Sequence, residues 1–177
     1  REKVTFVHNA QFELPVLFNE WGADWASDPE YHGFLRNVRD TRIMSSYVDE
    51  NRRAGLKGLS SEILGYEQES YDQVTKIKYL AYNMPESGKE VRRWEDEDGV
   101  DWVEVQHKMD ELTAKHVLSY GADDCICTAA LANHFRVVME LENTYDIFEE
   151  VETFPAYLTA LGFVQGVDFS AETMREM

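Results

Sequence analysis

Basic residues are scarce in this sequence. Lys and Arg number 17 against 34 Asp and Glu, a formal net charge of −17 over 177 residues. Phosphate contacts need Lys and Arg, so this balance is unfavourable for a nucleic-acid-binding protein. Charge alone leaves two classes open. The chain does not bind nucleic acid, or it holds only a strand's end in a carboxylate pocket filled with divalent ions, with a neighbouring domain supplying the basic track. Cysteine is also scarce. Cys125 and Cys127 are the only two. They stand two apart in an apolar, helical run where their side chains diverge, so they are expected to be reduced core thiols of a cytosolic protein. No apolar run has membrane-spanning length, and no basic-then-apolar signal stands at the start. No His/Cys cluster has zinc spacing, and there is no glycine-rich phosphate loop.

What is present argues for a folded core. The hydrophobic fraction is 44% and the aromatic fraction 12%, and one domain is the default at this length. Part of the acid is local: Glu95-Asp96-Glu97-Asp98 reads as a solvated loop.

Residues 4–9 read as a short buried strand from their β-branched and aromatic content. A helix is expected over Phe12 to Trp21, with Pro15 in its first turn. Residues 22–39 read as loop. Asp40-Thr41 is the expected cap of a helix over 42–48. Gly55 to Ser60 leads into a short helix that Gly65 would end. Residues 70–82 read as helix. Residues 83–105 read as a charged excursion forming a hairpin around Trp94 and Trp102. Glu111 to Leu141 reads as two helices meeting near Gly121. Tyr145 to Leu161 is expected to be helical with a break at Pro155. Gly162 to Asp168 reads as a turn into a strand, with a capped helix start at Ser170. Only about two convincing strands result, little sheet for an α/β domain of this length. That balance, and a start inside a strand-like run, is expected of an α/β fragment lacking its leading strands. Val4, Phe6 and the apolar side of the 112–131 helical region should then face material outside the chain or stand exposed.

Two segments carry chemistry. Tyr120 and Asp124 are four apart and share a helix face. A carboxylate that binds an ion beside a phenol that orients a nucleophile is a hydrolytic arrangement. Asp123 points about 100° away and is expected to be solvated. Asn9 to Glu13 place a polar residue at a strand end and a carboxylate in the first turn of the next helix, which aims an acid into a cleft. His8 reads as a structural histidine.

These segments, in this order, resemble the second and third motifs of the 3′→5′ proofreading exonucleases of family A DNA polymerases, especially bacteriophage ones. Asn9-Ala10-Gln11-Phe12-Glu13 resembles the second motif, and Tyr120-Gly121-Ala122-Asp123-Asp124 the third, Tyr-x-x-x-Asp. Asp40-Thr41 with Gly55-Leu56-Lys57-Gly58-Leu59 is similar to the connecting stretch of those domains. The tail from Ala160 to Phe169 is similar to the junction with the polymerase domain.

The resemblance implies an α/β, ribonuclease H-like fold. Residues 1–152 would form a partial exonuclease domain, and 153–177 the junction. The implied reaction is hydrolysis at a DNA 3′ end with two divalent cations, Mg2+ or Mn2+. Asp124 would hold the metal at the attacking water, Tyr120 would orient that water, and Glu13 would serve the second metal. Asn9 and Phe12 would border the terminal nucleotide of a single-stranded DNA 3′ end. The implied partner is a polymerase domain in the same polypeptide, and the implied setting the cytoplasm of a bacterium or phage-infected host.

The sequence departs from the family in two ways. The family acid at position 13 is normally Asp. The first motif, Asp-x-Glu on a buried strand, has no counterpart ahead of Asn9. The only Asp-x-Glu is Asp28-Pro29-Glu30, in a proline-containing loop after the second motif. The 177 residues alone are therefore expected to be inactive. Three rival readings are a ribonuclease D-type 3′→5′ exoribonuclease, a non-catalytic exonuclease-like scaffold, and an acidic DNA mimic with rows of carboxylates.

Overall fold

The computed structural model describes residues 3–22 and 29–166. The chain is mixed α/β and divides into two compact units. One joins the residues up to Leu59 with those from Thr128 onward; the other spans Ser60–Cys127.

In the first unit, strand β1 (Thr5–Val7) pairs in parallel with β2 (Val38–Asp40), Thr5 opposite Val38 and Val7 opposite Asp40. Helix α1 (Ala10–Trp21) follows β1, and α2 (Pro29–Arg36) precedes β2. Ala10, Leu14 and Phe18 recur every four residues along α1, bury one face, and pack with Leu35 and Val38. Phe18 meets Tyr157 of α8 (Thr153–Gln165) edge to face, at 6.4 Å between ring centroids. Burying one such aromatic contributes on the order of 2 kcal/mol by area. Asp40 caps α3 (Thr41–Val48), as its sequence implies, by accepting the Arg42 amide. A short α4 (Leu56–Leu59) completes this part of the unit, and α7 (Tyr145–Val151) precedes α8.

Two half-buried pairings hold β2 and α3. The Arg39 guanidinium is forked on Glu149 at 2.6 and 2.5 Å, and the Tyr47 hydroxyl donates to Glu152 at 2.9 Å. Burial raises the Tyr145 phenol, and a hydrogen bond to Glu149 adds to it, so that its pKa is pushed up to about 12. Burial works against charge on Glu149 too. The hydrogen bonds from Arg39 and Tyr145 outweigh it and hold the carboxyl below its ordinary value.

The second unit opens with one π turn, Ser60–Leu64. Gly65 follows at φ +64°, a left-handed conformation that suits glycine. Ser70 and Gln73 form a reciprocal capping box on α5 (Tyr71–Thr75). Strands β3 (Lys76–Leu80), β4 (Lys89–Glu95) and β5 (Asp101–Gln106) make an antiparallel sheet in the order β3-β5-β4. Trp94 stands opposite Trp102, as expected of the hairpin. Its turn is organised by Asp96, whose carboxylate accepts from the Trp102 indole at 2.8 Å and from the Asp98 and Val100 amides. Helix α6 (Ala114–Leu141) begins in this unit, and its residues from Thr128 onward belong to the first.

Several elements differ from the sequence-based expectations. Five strands are present among the described residues, not two. Residues 29–36 are helix and 38–40 strand where a loop was expected. The 70–82 stretch turns from helix to strand after Thr75. Helix α6 runs unbroken through Gly121; one glycine costs a helix about 1 kcal/mol, which 28 residues can absorb. Helix α1 starts at Ala10, so Pro15 lies beyond its first turn and leaves the Gln11 carbonyl without its usual helical donor. The break expected at Pro155 falls at Glu152, and α8 continues through Gly162 to Gln165. The strand and helix expected beyond Gly166 lie outside the described residues. Of the apolar surface expected to be open, Val4, Leu118 and Ile126 are exposed and Phe6 is half-buried. No helix among the described residues is long and apolar enough to cross a membrane.

Candidate functional site

The second-motif residues sit at the exit of β1. After Val7 the chain turns through His8 and Asn9. Asn9 takes a left-handed conformation (φ 74°, ψ 62°), which asparagine tolerates better than most residues. The turn is held from β2. Asp40 accepts the Asn9 amide at 2.9 Å and the Ala10 amide at 2.7 Å, along with the Arg42 amide at 2.8 Å. One carboxylate thus satisfies orphan donors at the starts of two helices. Arg42 donates to the Asn9 side-chain oxygen at 2.9 Å and fixes its direction. His8 is structural, as expected: Nε2 donates to the Ala54 carbonyl at 3.0 Å, and Nδ1 lies 2.9 Å from the Thr41 hydroxyl.

Phe12 and Glu13 follow in the first turn of α1. Both are exposed, Phe12 at 65%. A cavity of about 390 Å3 opens beside Asn9, Gln11, Asp40, Arg42 and Glu152. Its lining includes one cation, Arg42, and two carboxylates, Asp40 and Glu152.

The third-motif residues lie in the second unit. Tyr120 and Asp124 occupy one face of α6, and both are half-buried. Asp124 accepts from the Gln68 amide at 2.9 Å. The Gln68 carbonyl oxygen is buried without a hydrogen-bond partner among the described residues. Asp123 is not solvated as expected. It is half-buried, and accepts from the Tyr66 hydroxyl at 3.0 Å. That hydrogen bond, with some desolvation, raises the Tyr66 phenol above its ordinary value.

Tyr66 and Gln68 were not singled out in the sequence. Their signal is the spacing: two apart after a helix-ending glycine, they point to the same side of an extended segment. Cys125 is exposed, contrary to expectation, while Cys127 is buried 3.2 Å from the Ser60 hydroxyl. Ile126 and Ala129 are exposed as well, so the buried face of α6 here is Cys127, Thr128 and Leu131.

Asn9, Phe12 and Glu13 therefore belong to one unit, and Tyr120 and Asp124 to the other. Among the described residues, no three His, Cys, Asp or Glu side chains stand close enough to share an ion. The Asp123 carboxylate is engaged by Tyr66. The described residues do not assemble the four carboxylates a two-ion site needs. Asp28 of the lone Asp-x-Glu lies outside them. In comparisons with family models, curated proteins and solved structures, nothing matches this chain.

Proposed function

We propose that the chain is part of a 3′→5′ proofreading exonuclease of a phage-type family A DNA polymerase, with a ribonuclease H-like fold. The observation that carries the reading is the setting of Tyr120 and Asp124: four apart on one unbroken helix, half-buried, with the carboxylate held by Gln68. Supporting it, Asn9-Ala10-Gln11-Phe12-Glu13 falls at a strand-to-helix turn that Asp40 and Arg42 hold. In this reading Asp124 and Glu13 are two of the metal carboxylates, Tyr120 orients water, and Phe12 and Asn9 border the terminal nucleotide. Two divalent cations would supply the positive charge that lets an acidic pocket accept phosphate. They require two carboxylates beyond Glu13 and Asp124.

The test is magnesium-dependent release of nucleotides from the 3′ end of a single-stranded DNA oligonucleotide by the full-length polypeptide that contains this sequence. An RNA oligonucleotide of the same sequence runs in parallel. Preference for DNA is expected. Preference for RNA transfers the reading to the ribonuclease D type, and no release from either leaves a scaffold.

A further inference from the structure

One face of the antiparallel sheet gathers cations and indoles in a chain that is otherwise strongly acidic. Alternation along β5 separates two faces. Val103 and Val105 point to one and are fully buried. Trp102, Glu104 and Gln106 point to the other and are half-buried. Register sets their neighbours. Leu80 and Trp94 stand opposite Trp102, Lys78 and Arg92 opposite Glu104, and Lys76 opposite Gln106.

Two of these cations are exposed and unpaired. Lys78 Nζ lies 5.6 Å from the centroid of the Trp94 ring, and the Arg92 guanidinium carbon 5.3 Å from it. Neither side chain makes an ion pair or hydrogen bond among the described residues. Lys76 is engaged by Asp72 at 2.6 Å. Among the strand residues, Glu104 is the one carboxylate on this face. Glu90, Glu95 and Asp101 register with the reverse, where Arg93 pairs with Glu90 and Asp101. The acids of the turn, Asp96 to Asp98, lie beyond the Trp94 end of the face, and Asp96 spends its carboxylate on the Trp102 indole and two amides.

The pairing of charge and ring selects the occupant. Unpaired cations beside indoles complement a strand that presents phosphates and open base faces together. A duplex hides its base faces, and an acidic peptide leaves the indoles unused. Trp102 is already fixed, because its indole N–H donates to Asp96 at 2.8 Å. A cation resting on an exposed ring is held weakly, so a phosphate can draw Lys78 and Arg92 aside and open the Trp94 ring. From β3 across β5 to β4 the face is about 10 Å wide, the rise of about three stacked nucleotides.

We propose that this face binds single-stranded DNA, with Lys78 and Arg92 on two phosphates and the bases laid on the Trp94 and Trp102 indoles. The face involves neither Tyr120 nor Asp124. Binding of a single strand there does not rest on the exonuclease reading; the choice of DNA over RNA does.

The experiment measures the anisotropy of a short dye-labelled oligo(dT) with the whole chain, in EDTA so that hydrolysis plays no part. Saturable binding is expected, with a log–log salt slope of about −1.4, two phosphate contacts at about −0.7 each. Lys78→Gln with Arg92→Gln should weaken binding about tenfold or more and flatten that slope. Arg53→Gln with Arg136→Gln removes the same charge from exposed positions elsewhere and should leave binding within about twofold. Trp94→Leu should weaken binding about fivefold or more; the Lys78 and Arg92 variant carries the test if Trp94→Leu does not fold. Unlabelled duplex, oligo(U) and poly-glutamate are the competitors, each expected to displace the label less well than unlabelled oligo(dT). No binding, or equal losses in the two charge variants, overturns the proposal. So does displacement by poly-glutamate as effective as by oligo(dT), which would make the occupant an acidic protein, or stronger displacement by oligo(U), which would make it RNA.

Discussion

Gln68 donates to the carboxylate of Asp124 at 2.9 Å, across 56 positions of sequence. The helix alone aligns Asp124 with Tyr120; Gln68 limits which way the carboxylate turns. A hydrogen bond to a charged group contributes about 1.5–3 kcal/mol. Gln68→Ala should therefore lower stability by about that amount and, by freeing the carboxylate, lower nucleotide release by the folded full-length polypeptide about tenfold. An unchanged rate would show that Gln68 does not position Asp124.

Asp40 is the anchor of the second-motif turn. Asp40→Ala leaves the Asn9, Ala10 and Arg42 amides without their acceptor. The expected loss is about 3 kcal/mol or more, read as a lower midpoint in urea. A loss under about 1 kcal/mol would mean that the turn is held by other contacts.

The parts of this fold that were readable are local. Asp40 before Thr41 is a cap wherever it occurs, and Trp94 and Trp102 flank a turn rich in Asp and Gly. Gly55 and Gly65 flank the short helical stretch from Leu56 to Leu64 for the same reason. The parts that were missed are set at a distance. Val-Arg-Asp at 38–40 does not look like a buried strand. Arg39 is accommodated there by the Arg36 and Val38 carbonyls and by Glu149, which arrives from 110 positions away. Lys76 to Leu80 continues a capped helical start, and only pairing with β5 makes it a strand. Asp123 was read from its helix angle as solvated, and Tyr66 on a separate segment changes that. In the candidate site, Gln68 and Arg42, which hydrogen-bond Asp124 and Asn9, carry no mark in the sequence, because both contacts are long-range.

The Arg39–Glu149–Tyr145 cluster predicts two pH effects. The folded-state pKa of Glu149 is lowered, so its contribution is present above the ordinary value of 4.5 and is lost as pH falls below it. The Tyr145 pKa is raised to about 12, so its contribution is present below the ordinary value of 10.0 and is lost as pH rises toward 12. Glu149→Gln should flatten the acid side of a stability–pH curve, measured by urea unfolding at each pH. An unchanged acid slope would contradict the role assigned to the pair.

The two thiols should react differently. Cys125 is exposed and Cys127 is 2% exposed. A thiol reagent should label one site in the native chain, Cys125, and a second only on unfolding. Rapid labelling of both in native conditions would contradict the packing of Cys127 against Ser60.

The assignment of Asp124 is tested most directly by magnesium-dependent release of nucleotides from the 3′ end of a single-stranded DNA oligonucleotide. Full-length polypeptides carrying Asp124→Ala, Asp123→Ala or Tyr120→Phe would be compared with the unaltered one. The account predicts no release with Asp124→Ala, partial release with Tyr120→Phe, and near-normal release with Asp123→Ala, whose carboxylate serves Tyr66. Equal losses for Asp123→Ala and Asp124→Ala, or full activity without the Asp124 carboxylate, would contradict it.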